Sequence, residues 1–294
     1  MKPLPNAVSI VMRSFNEAWA IGDTIAAVFN QSFDGEIELI VIDSGSTDGS
    51  IEIIEKSGRA RLIQIPLGTY VPGVVLNQGA REASHDWIVY LNADATPVGR
   101  EWLVNLLKAC VDNPKFGAAF SRQIPRPDCQ AVFAHDYDRC FGPERESKHW
   151  EHFFSMVSSA THRSVFDKVP IREDLQYAED DEWTRRLVEN GYEIPYAIES
   201  VVMHSHNYTL RQSYKRSFGD AKAMAATSTV TPRNVNYHFF VGLGLLKDAM
   251  RDAKWCMKNG RIAGIPHAMA VRLAQRLGRR DGYHAGWKFY HRDT

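Results

Sequence analysis

The first half of the chain alternates short apolar runs with runs in which apolar residues recur at helical spacing. Residues 8–12 (VSIVM) suit a strand buried on both faces. Residues 38–43 (ELIVID), 61–65 and 87–91 (WIVYL) read as three more strands. Between them lie helical patterns. One carries Ile21, Ile25, Ala26 and Phe29, with Asn16 or Asp23 as its cap; others cover residues 50–57, 76–84 and 102–111. Strand–helix alternation of this kind implies a parallel sheet wound with helices. Ligands of such sheets bind beyond the carboxyl ends of the strands, where Arg13, Asp43 and Asp94 stand.

Residues 114–200 are less regular. A strand is predicted at 116–120, a loop at 125–128, and short strands at 193–196 and 200–204. A helix at 180–190 places Trp183, Leu187 and Val188 on one side, and Gly191 closes it. From Leu210 the pattern turns helical and basic. Residues 247–255 and 268–277 are amphipathic, and Gly242, Gly244, Gly260 and Gly264 interrupt the stretch. No run approaches the roughly 18–20 apolar residues that span a bilayer; residues 238–246 are too few. The N-terminus turns polar after one short apolar run and does not read as a secretory leader.

At 294 residues, with 44% hydrophobic and 24% charged, the chain has the composition of a globular enzyme and not of a disordered or disulfide-stapled protein. Its 35 basic and 35 acidic residues cancel, which argues against a dedicated nucleic-acid binder. The cancellation hides an asymmetry: residues 201–294 hold 16 Lys+Arg against 5 Asp+Glu, and residues 1–200 hold 19 against 30. An acidic body and a basic tail present two different surfaces. Cys110, Cys129, Cys140 and Cys256 form no close metal-ligand spacing and read as free thiols of a reducing, cytoplasmic compartment.

Four groups carry candidate chemistry. Asp43 and Asp94 end buried strands, where a carboxylate meets either backbone N–H groups or a hard divalent cation and nucleotide hydroxyls. Ser44-Gly45-Ser46-Thr47-Asp48-Gly49-Ser50 is either a tight turn with a capped helix or a phosphate cradle, and it lacks the lysine of a P-loop. In Glu179-Asp180-Asp181-Glu182, an acidic helix start, Asp181 and Glu182 fit a solvated cap. Glu179 and Asp180 then face a cleft, with Asp180 the preferred general base. His204 and His206, two apart in a strand, are either a surface pair or part of a metal site.

The order of these groups resembles the family 2 glycosyltransferases of GT-A fold, over about residues 8–220. The likeness rests on Ile10-Val11-Met12-Arg13-Ser14-Phe15-Asn16-Glu17, on Val41-Ile42-Asp43 with its Gly-Ser-x-Asp-Gly turn, and on Asn77-Gln78-Gly79. It continues in Leu91-Asn92-Ala93-Asp94 at the place of the metal-binding DxD, and in Glu179-Asp180 followed by Arg186 and Gly191. Ser121-Arg122-Gln123-Ile124-Pro125-Arg126-Pro127-Asp128 and His204-Ser205-His206-Asn207-Tyr208 look most like bacterial rhamnosyltransferases of surface-polysaccharide assembly. Two positions depart from the family pattern: Asn92 replaces the first acid of DxD, and Val74-Val75-Leu76 stands where an Arg often precedes the Asn-x-Gly helix.

The resemblance implies an α/β GT-A fold, a Rossmann-like wound mixed sheet flanked by helices. Residues 1–220 would form that domain and 221–294 a basic helical appendage. It implies an inverting transferase using a nucleotide-diphosphate sugar and Mg²⁺ or Mn²⁺. Donor contacts would come from Arg13, Ser14, Asn16, Glu17, Asp43, Ser46, Asn77, Asn92, Ala93 and Asp94. Asp94 would hold the metal, with His204 adding a second metal or phosphate contact. Asp180, with Glu179 beside it, would deprotonate the acceptor hydroxyl of a saccharide or lipid-linked saccharide, and Arg186 would brace the acidic cluster. The basic helices would either meet anionic lipid on the inner face of the membrane, cap the core, or form a dimer surface. Two other readings stand beside this one: a sugar-1-phosphate nucleotidyltransferase, and a saccharide-binding or scaffold protein on a decayed transferase fold. Thermal melting separates the three. A transferase is stabilised by a nucleoside diphosphate with Mn²⁺, a nucleotidyltransferase prefers a triphosphate, and a decayed site responds to neither.

Overall fold

The computed structural model describes residues 2–150, 152–226, 231–232, 237 and 239–291. Its strands are β1 (Ala7–Ser14), β2 (Glu36–Asp43), β3 (Arg61–Gln64), β4 (Trp87–Asn92), β5 (Thr96–Pro97), β6 (Ala118–Ile124), β7 (Ser158–His162) and β8 (Tyr196–Met203). They form one sheet in the order β3-β2-β1-β4-β7-β6-β8-β5. The helices are α1 (Ile21–Val28), α2 (Ser50–Ser57), α3 (Pro72–Glu82), α4 (Trp102–Val111), α5 (Ala131–Phe141), α6 (Arg163–Phe166), α7 (Glu179–Glu189), α8 (Leu210–Met224), α9 (Gly244–Lys258) and α10 (Ile265–Tyr290).

The sheet is mixed. β1, β2, β3 and β4 pair in parallel, as do β6 and β8, whereas β7 runs against both β4 and β6, and β5 runs against β8. Alternation along the sequence therefore identifies the parallel half and misses β7, whose run Ser158-Ser159-Ala160-Thr161-His162 is polar yet almost wholly buried. β6 starts two residues later than its apolar pattern suggests, because Phe116 makes only an isolated bridge to Glu193. The two short strands expected near 193–204 are one, β8, with a register shift opposite Ser121 and Arg122 that breaks the alternation of buried positions. Neither expected cap of α1 is used. The helix begins after Ala20 with no side-chain cap, and Asn16 turns its Oδ1 to the N–H of Thr47 at 2.9 Å.

Two compact units emerge. The first comprises Met1–Ile124, Cys140–Leu175 and Glu179–His204; the second comprises Pro125–Arg139, Gln176–Ala178 and Ser205–Thr294. The core of the first is apolar and centred on Val8, Ile10, Met12, Leu39, Val41, Val89 and Leu91 of the strands, covered by Ile21, Ile25, Leu103, Leu106 and Leu107. α3 comes close to β1 at Gly79, where a Cβ would lie 2.2 Å from a methyl of Val11.

In the second unit α8 and α10 meet backbone to backbone. A Cβ placed on Gly278, Gly282 or Gly286 would lie 2.4, 2.1 and 2.4 Å from the carbonyl oxygens of Tyr214, Phe218 and Lys222. Beside this seam a small apolar cluster holds Cys129, Val132, Phe133, Ala134, Ala268 and Val271. A buried charge network ties α5, α9 and α10 together. Arg272 donates to Asp252 (Nε to Oδ2, 2.7 Å) and to both oxygens of Asp136 at 2.8 Å, and His135 Nδ1 lies 2.7 Å from Asp252 Oδ1. No described helix is long and apolar enough to cross a membrane, and the four cysteines form no disulfide.

Burial works against the Asp252 carboxylate, but the hydrogen bonds of His135 and Arg272 outweigh it and hold its pKa down to about 2, from the usual 3.8. This contribution to stability is complete above that usual value and is lost as pH falls toward about 2. At neutral pH, Asp252→Ala takes the Asp252 hydrogen bonds from Arg272, which keeps Asp136, and leaves His135 without its carboxylate partner. It should lower unfolding free energy by about 1–3 kcal/mol in urea titrations, and the loss should shrink in acid.

Candidate active site

Parallel pairing sets the strand ends flush. Ser14 lies opposite Asp43, and Arg13 lies opposite both Ile42 and Asn92, so the ends of β1, β2 and β4 present their polar residues side by side. The backbone reinforces this: Ser44 N–H donates to Ser14 O, and Ala93 N–H to Arg13 O, both at 3.0 Å.

Asp43 is fully buried and organises the turn after β2. Its Oδ1 accepts from the N–H groups of Gly45 (3.0 Å) and Ser46 (2.8 Å), and its Oδ2 accepts from Ser46 Oγ at 2.6 Å. Ser46 Oγ in turn accepts from Asn16 N–H at 2.7 Å, and Asn16 Oδ1 accepts from Thr47 N–H. Glu17 N–H donates to Ser50 Oγ (2.9 Å), and Ala18 N–H to Asp48 Oδ2 (2.9 Å). Hydroxyl, carboxylate and amide acceptors thus stitch the loop after β1 to the loop after β2, with Gly45 and Asn16 at φ of 87° and 55°. Asparagine adopts that left-handed region more readily than most residues. Ser14 Oγ is buried at these strand ends with no hydrogen-bond partner among the described residues.

Arg13 joins this region to α7. Its Nη2 and Nε donate to Asn92 Oδ1 at 2.8 and 3.2 Å, its Nη1 donates to Tyr70 Oη at 3.1 Å, and Nη1 lies 3.6 Å from Glu179 Oε1. Burial opposes the guanidinium charge, but Tyr70, Glu179 and Asp180 outweigh it and raise its pKa above the ordinary arginine value. Asn92 is therefore a neutral acceptor that engages the fork without neutralising it.

Asp180 receives the N–H of Asp181 (2.9 Å) and more weakly that of Met156 (3.4 Å). Burial pushes its carboxyl above the usual 3.8, against the pull of those N–H groups and of Arg13. Asp181 pairs with Arg185 (3.1 Å) at the surface, whereas Glu182 pairs with Arg186 (2.7 Å) and is only 13% exposed, so it is not the solvated cap residue expected. Arg186 also donates to Pro170 O, so it braces the helix. Ala178, immediately before Glu179, holds φ at 57°, a strained conformation for alanine.

Asp94 and His204 meet because β5 and β8 pair antiparallel, Thr96 opposite Met203. Both are buried, with His204 Nε2 3.5 Å from Asp94 Oδ2. Gln123 Nε2 donates to Ser155 Oγ at 2.8 Å, which turns Gln123 Oε1 to His204 Nδ1 at 2.9 Å. An amide oxygen needs a donor, so Nδ1 carries a proton and Nε2 is the nitrogen that faces Asp94. A buried carboxylate beside an oriented imidazole nitrogen fits a divalent cation. The nitrogen suits Mn²⁺ better than Mg²⁺, which prefers an all-oxygen shell. β8 ends at Met203, so strand alternation does not govern His204 and His206, and His206 belongs to the second unit.

Asn77 is held by its own fold contacts. Nδ2 donates to Ile171 O and Glu173 Oε1 at 2.8 Å each, and Oδ1 accepts from Ile171 N–H at 3.2 Å. Residue patterns do not single out Tyr70, Gln123 or Ser155. Gln123 alone has a signal, its place in the 121–128 stretch.

The family model for glycosyl transferase family 2 matches residues 9–169. The chain belongs to this family. It is a glycosyltransferase, and its mixed sheet with C-terminal helices is the GT-A arrangement. This family 2 chain is 26% identical over 288 residues to the O-antigen chain rhamnosyltransferase RfbN of Salmonella typhimurium, covering 94% of this chain and 90% of that one. It is 27% identical to the O-antigen chain rhamnosyltransferase WbaN of Salmonella anatum, covering 94% and 89%. Among solved structures it resembles the mannosyltransferase PcManGT of Pyrobaculum calidifontis in complex with GDP-Man and Mn²⁺. That match has TM-score 0.58 and 19% identity over 90% of this chain and 86% of that one.

The loop stitched by Asp43 makes a direct test. Asp43→Ala removes the acceptor of three donors and should cost on the order of 3 kcal/mol in chemical denaturation. Asp43→Asn keeps an oxygen for the two amides and an NH₂ for Ser46 Oγ, so it should stay within about 1 kcal/mol of wild type.

Proposed function

We propose that this transferase moves a sugar, rhamnose in the reading its relatives favour, from a nucleotide-diphosphate donor to a hydroxyl of a saccharide or lipid-linked saccharide. The acceptor belongs to cell-surface polysaccharide synthesis, and the anomeric configuration inverts. The observation that carries the reading is the position of Arg13. It grips Asn92, two residues from Asp94, and stands 3.6 Å from Glu179, the neighbour of the half-buried Asp180. A donor-holding turn and a candidate base are thereby held by one cation.

In this mechanism the stitched loops of Arg13, Ser14, Asn16, Glu17 and Ser46 receive the nucleotide, and Asp43 serves them by holding the turn in shape. Asn92 and Ala93 line the diphosphate beside Asp94. Asp94 and His204 would hold Mn²⁺ or Mg²⁺, which when bound offsets charge on the departing nucleoside diphosphate. Asp180 accepts the proton of the acceptor hydroxyl, whose oxygen bonds to the anomeric carbon as the nucleotide leaves. Direct displacement by one activated hydroxyl inverts that carbon. Glu179 keeps Arg13 oriented, and Arg13 moderates the pKa of Asp180.

The test is a panel of dTDP-, UDP- and GDP-sugars, with nucleotide release and transfer measured with each cation. One donor should turn over. Asp180→Asn should lower kcat by about 10²–10⁴-fold with donor binding retained, and Asp94→Ala should abolish cation-dependent binding. The base works only when ionised, so activity should fall in acid along a limb above the ordinary aspartate value. Arg13→Met should move that limb to higher pH, since Arg13 pulls the Asp180 pKa down. No binding of any nucleoside diphosphate would overturn the reading in favour of a decayed saccharide-binding fold.

A further inference from the structure

The exposed face of α9 is apolar and cationic at once. Leu243 at its N-cap, Leu246, Met250 and Met257 are 55–60% exposed, and Lys247, Lys254 and Lys258 are exposed among them. At 100° per residue these seven positions fall within an arc of about 120°, along about 22 Å of helix. The acidic residues of α9 lie on the other side. Asp252 is buried against Arg272, and Asp248 pairs with Arg276 and Arg251. The same character continues beyond the helix through Ile262 (60% exposed) and into α10 with Met269 (46%) and Leu273 (40%). No Asp or Glu occurs in the sequence between Asp252 and Asp281.

Single exposed apolar residues need no explanation, but a contiguous stripe does. The charge of the second unit selects the occupant. Its segments hold 18 Lys+Arg against 8 Asp+Glu. A second copy of the chain docked face to face would bring the lysine row against its own copy. A polyanion without an apolar phase would leave Leu246, Met250 and Met257 wet. A lipid surface with anionic headgroups satisfies both: the methionines and leucines enter the acyl boundary, while the lysine stems lie along them and carry their ammonium groups to the phosphates. We propose that this face of α9, with the start of α10, docks on an anionic bilayer. The inference does not depend on the catalytic reading, because none of these residues belongs to the candidate active site.

The experiment is vesicle flotation with the full chain. Phosphatidylcholine vesicles are compared with vesicles containing about 30 mol% phosphatidylglycerol, at about 0.1 M and 0.5 M salt. Wild type should partition to the anionic vesicles about tenfold or more over the neutral ones, and less at high salt. Leu246→Glu with Met250→Glu should cut partition at least about tenfold. Lys247→Gln with Lys254→Gln and Lys258→Gln should remove the preference for anionic lipid. All these side chains are exposed, so melting temperature and nucleoside diphosphate binding should match wild type and certify the fold. Wild type that ignores both vesicles overturns the proposal, as do variants that bind like wild type. A concentration-dependent dimer in sedimentation, abolished by Leu246→Glu, would overturn it in favour of self-association.

Discussion

An arginine cannot shed its charge at any pH a protein survives, so placing Arg13 inside the first unit obliges its surroundings to satisfy it. Asn92 takes two of its donors, Tyr70 a third, and Glu179 stands close by. Each of these comes from a different part of the chain: the end of β4, the loop before α3 and the first turn of α7. The guanidinium is thus the point at which sheet, loop and acidic helix meet electrostatically. Asn92 matters here for what it lacks. An aspartate at that position would pair with Arg13 and remove its influence on Glu179 and Asp180, whereas the amide accepts the same hydrogen bonds and leaves the charge available.

Much of this region could be read from residue order. Apolar runs ending in Arg13, Asp43 and Asn92 mark strands, and parallel strands with flush ends bring their last residues together. At the acidic start of α7, Asp181 is outward and pairs with Arg185, but Glu182, expected in a solvated cap, is only 13% exposed because Arg186 folds over it. What stayed hidden depends on pairing between distant segments. Asp94 and His204 meet through the β5–β8 register; the family resemblance joined them, whereas periodicity reports which face a residue occupies but not which strand lies beside it. β7 escaped because its buried residues are mostly serine and threonine, whose hydroxyls bond Ser121 Oγ, Met156 Sδ and the Gly117 carbonyl. Gln123 escaped because its role is to orient a histidine that is itself remote in sequence. Asn77 shows the converse, a motif residue whose amide is wholly engaged in holding α3 to the 171–173 loop.

The second unit divides its cations by type. Arginines take the paired positions: Arg272 with Asp136 and Asp252, Arg276 and Arg251 with Asp248, and Arg280 with Asp281. A planar fork matches a carboxylate with two hydrogen bonds and is less costly to desolvate than an ammonium group. Lysines of α9 remain on the outside. A surplus of positive charge therefore reaches the surface as flexible, well-hydrated ammonium groups, while Asp136, Asp248 and Asp252 are committed to arginines.

The seam between α8 and α10 is written in missing atoms. Gly278, Gly282 and Gly286 recur every four residues and lie against carbonyls that recur every four residues. Sliding α10 by one residue would bring Arg279, Tyr283 and Trp287 to that line, and sliding it the other way would bring Leu277, Asp281 and Ala285. Most of these are too large for the gap. The glycines thus act as a combination lock: two long helices with many nearly equivalent ways to pack have one alignment in which their backbones can touch.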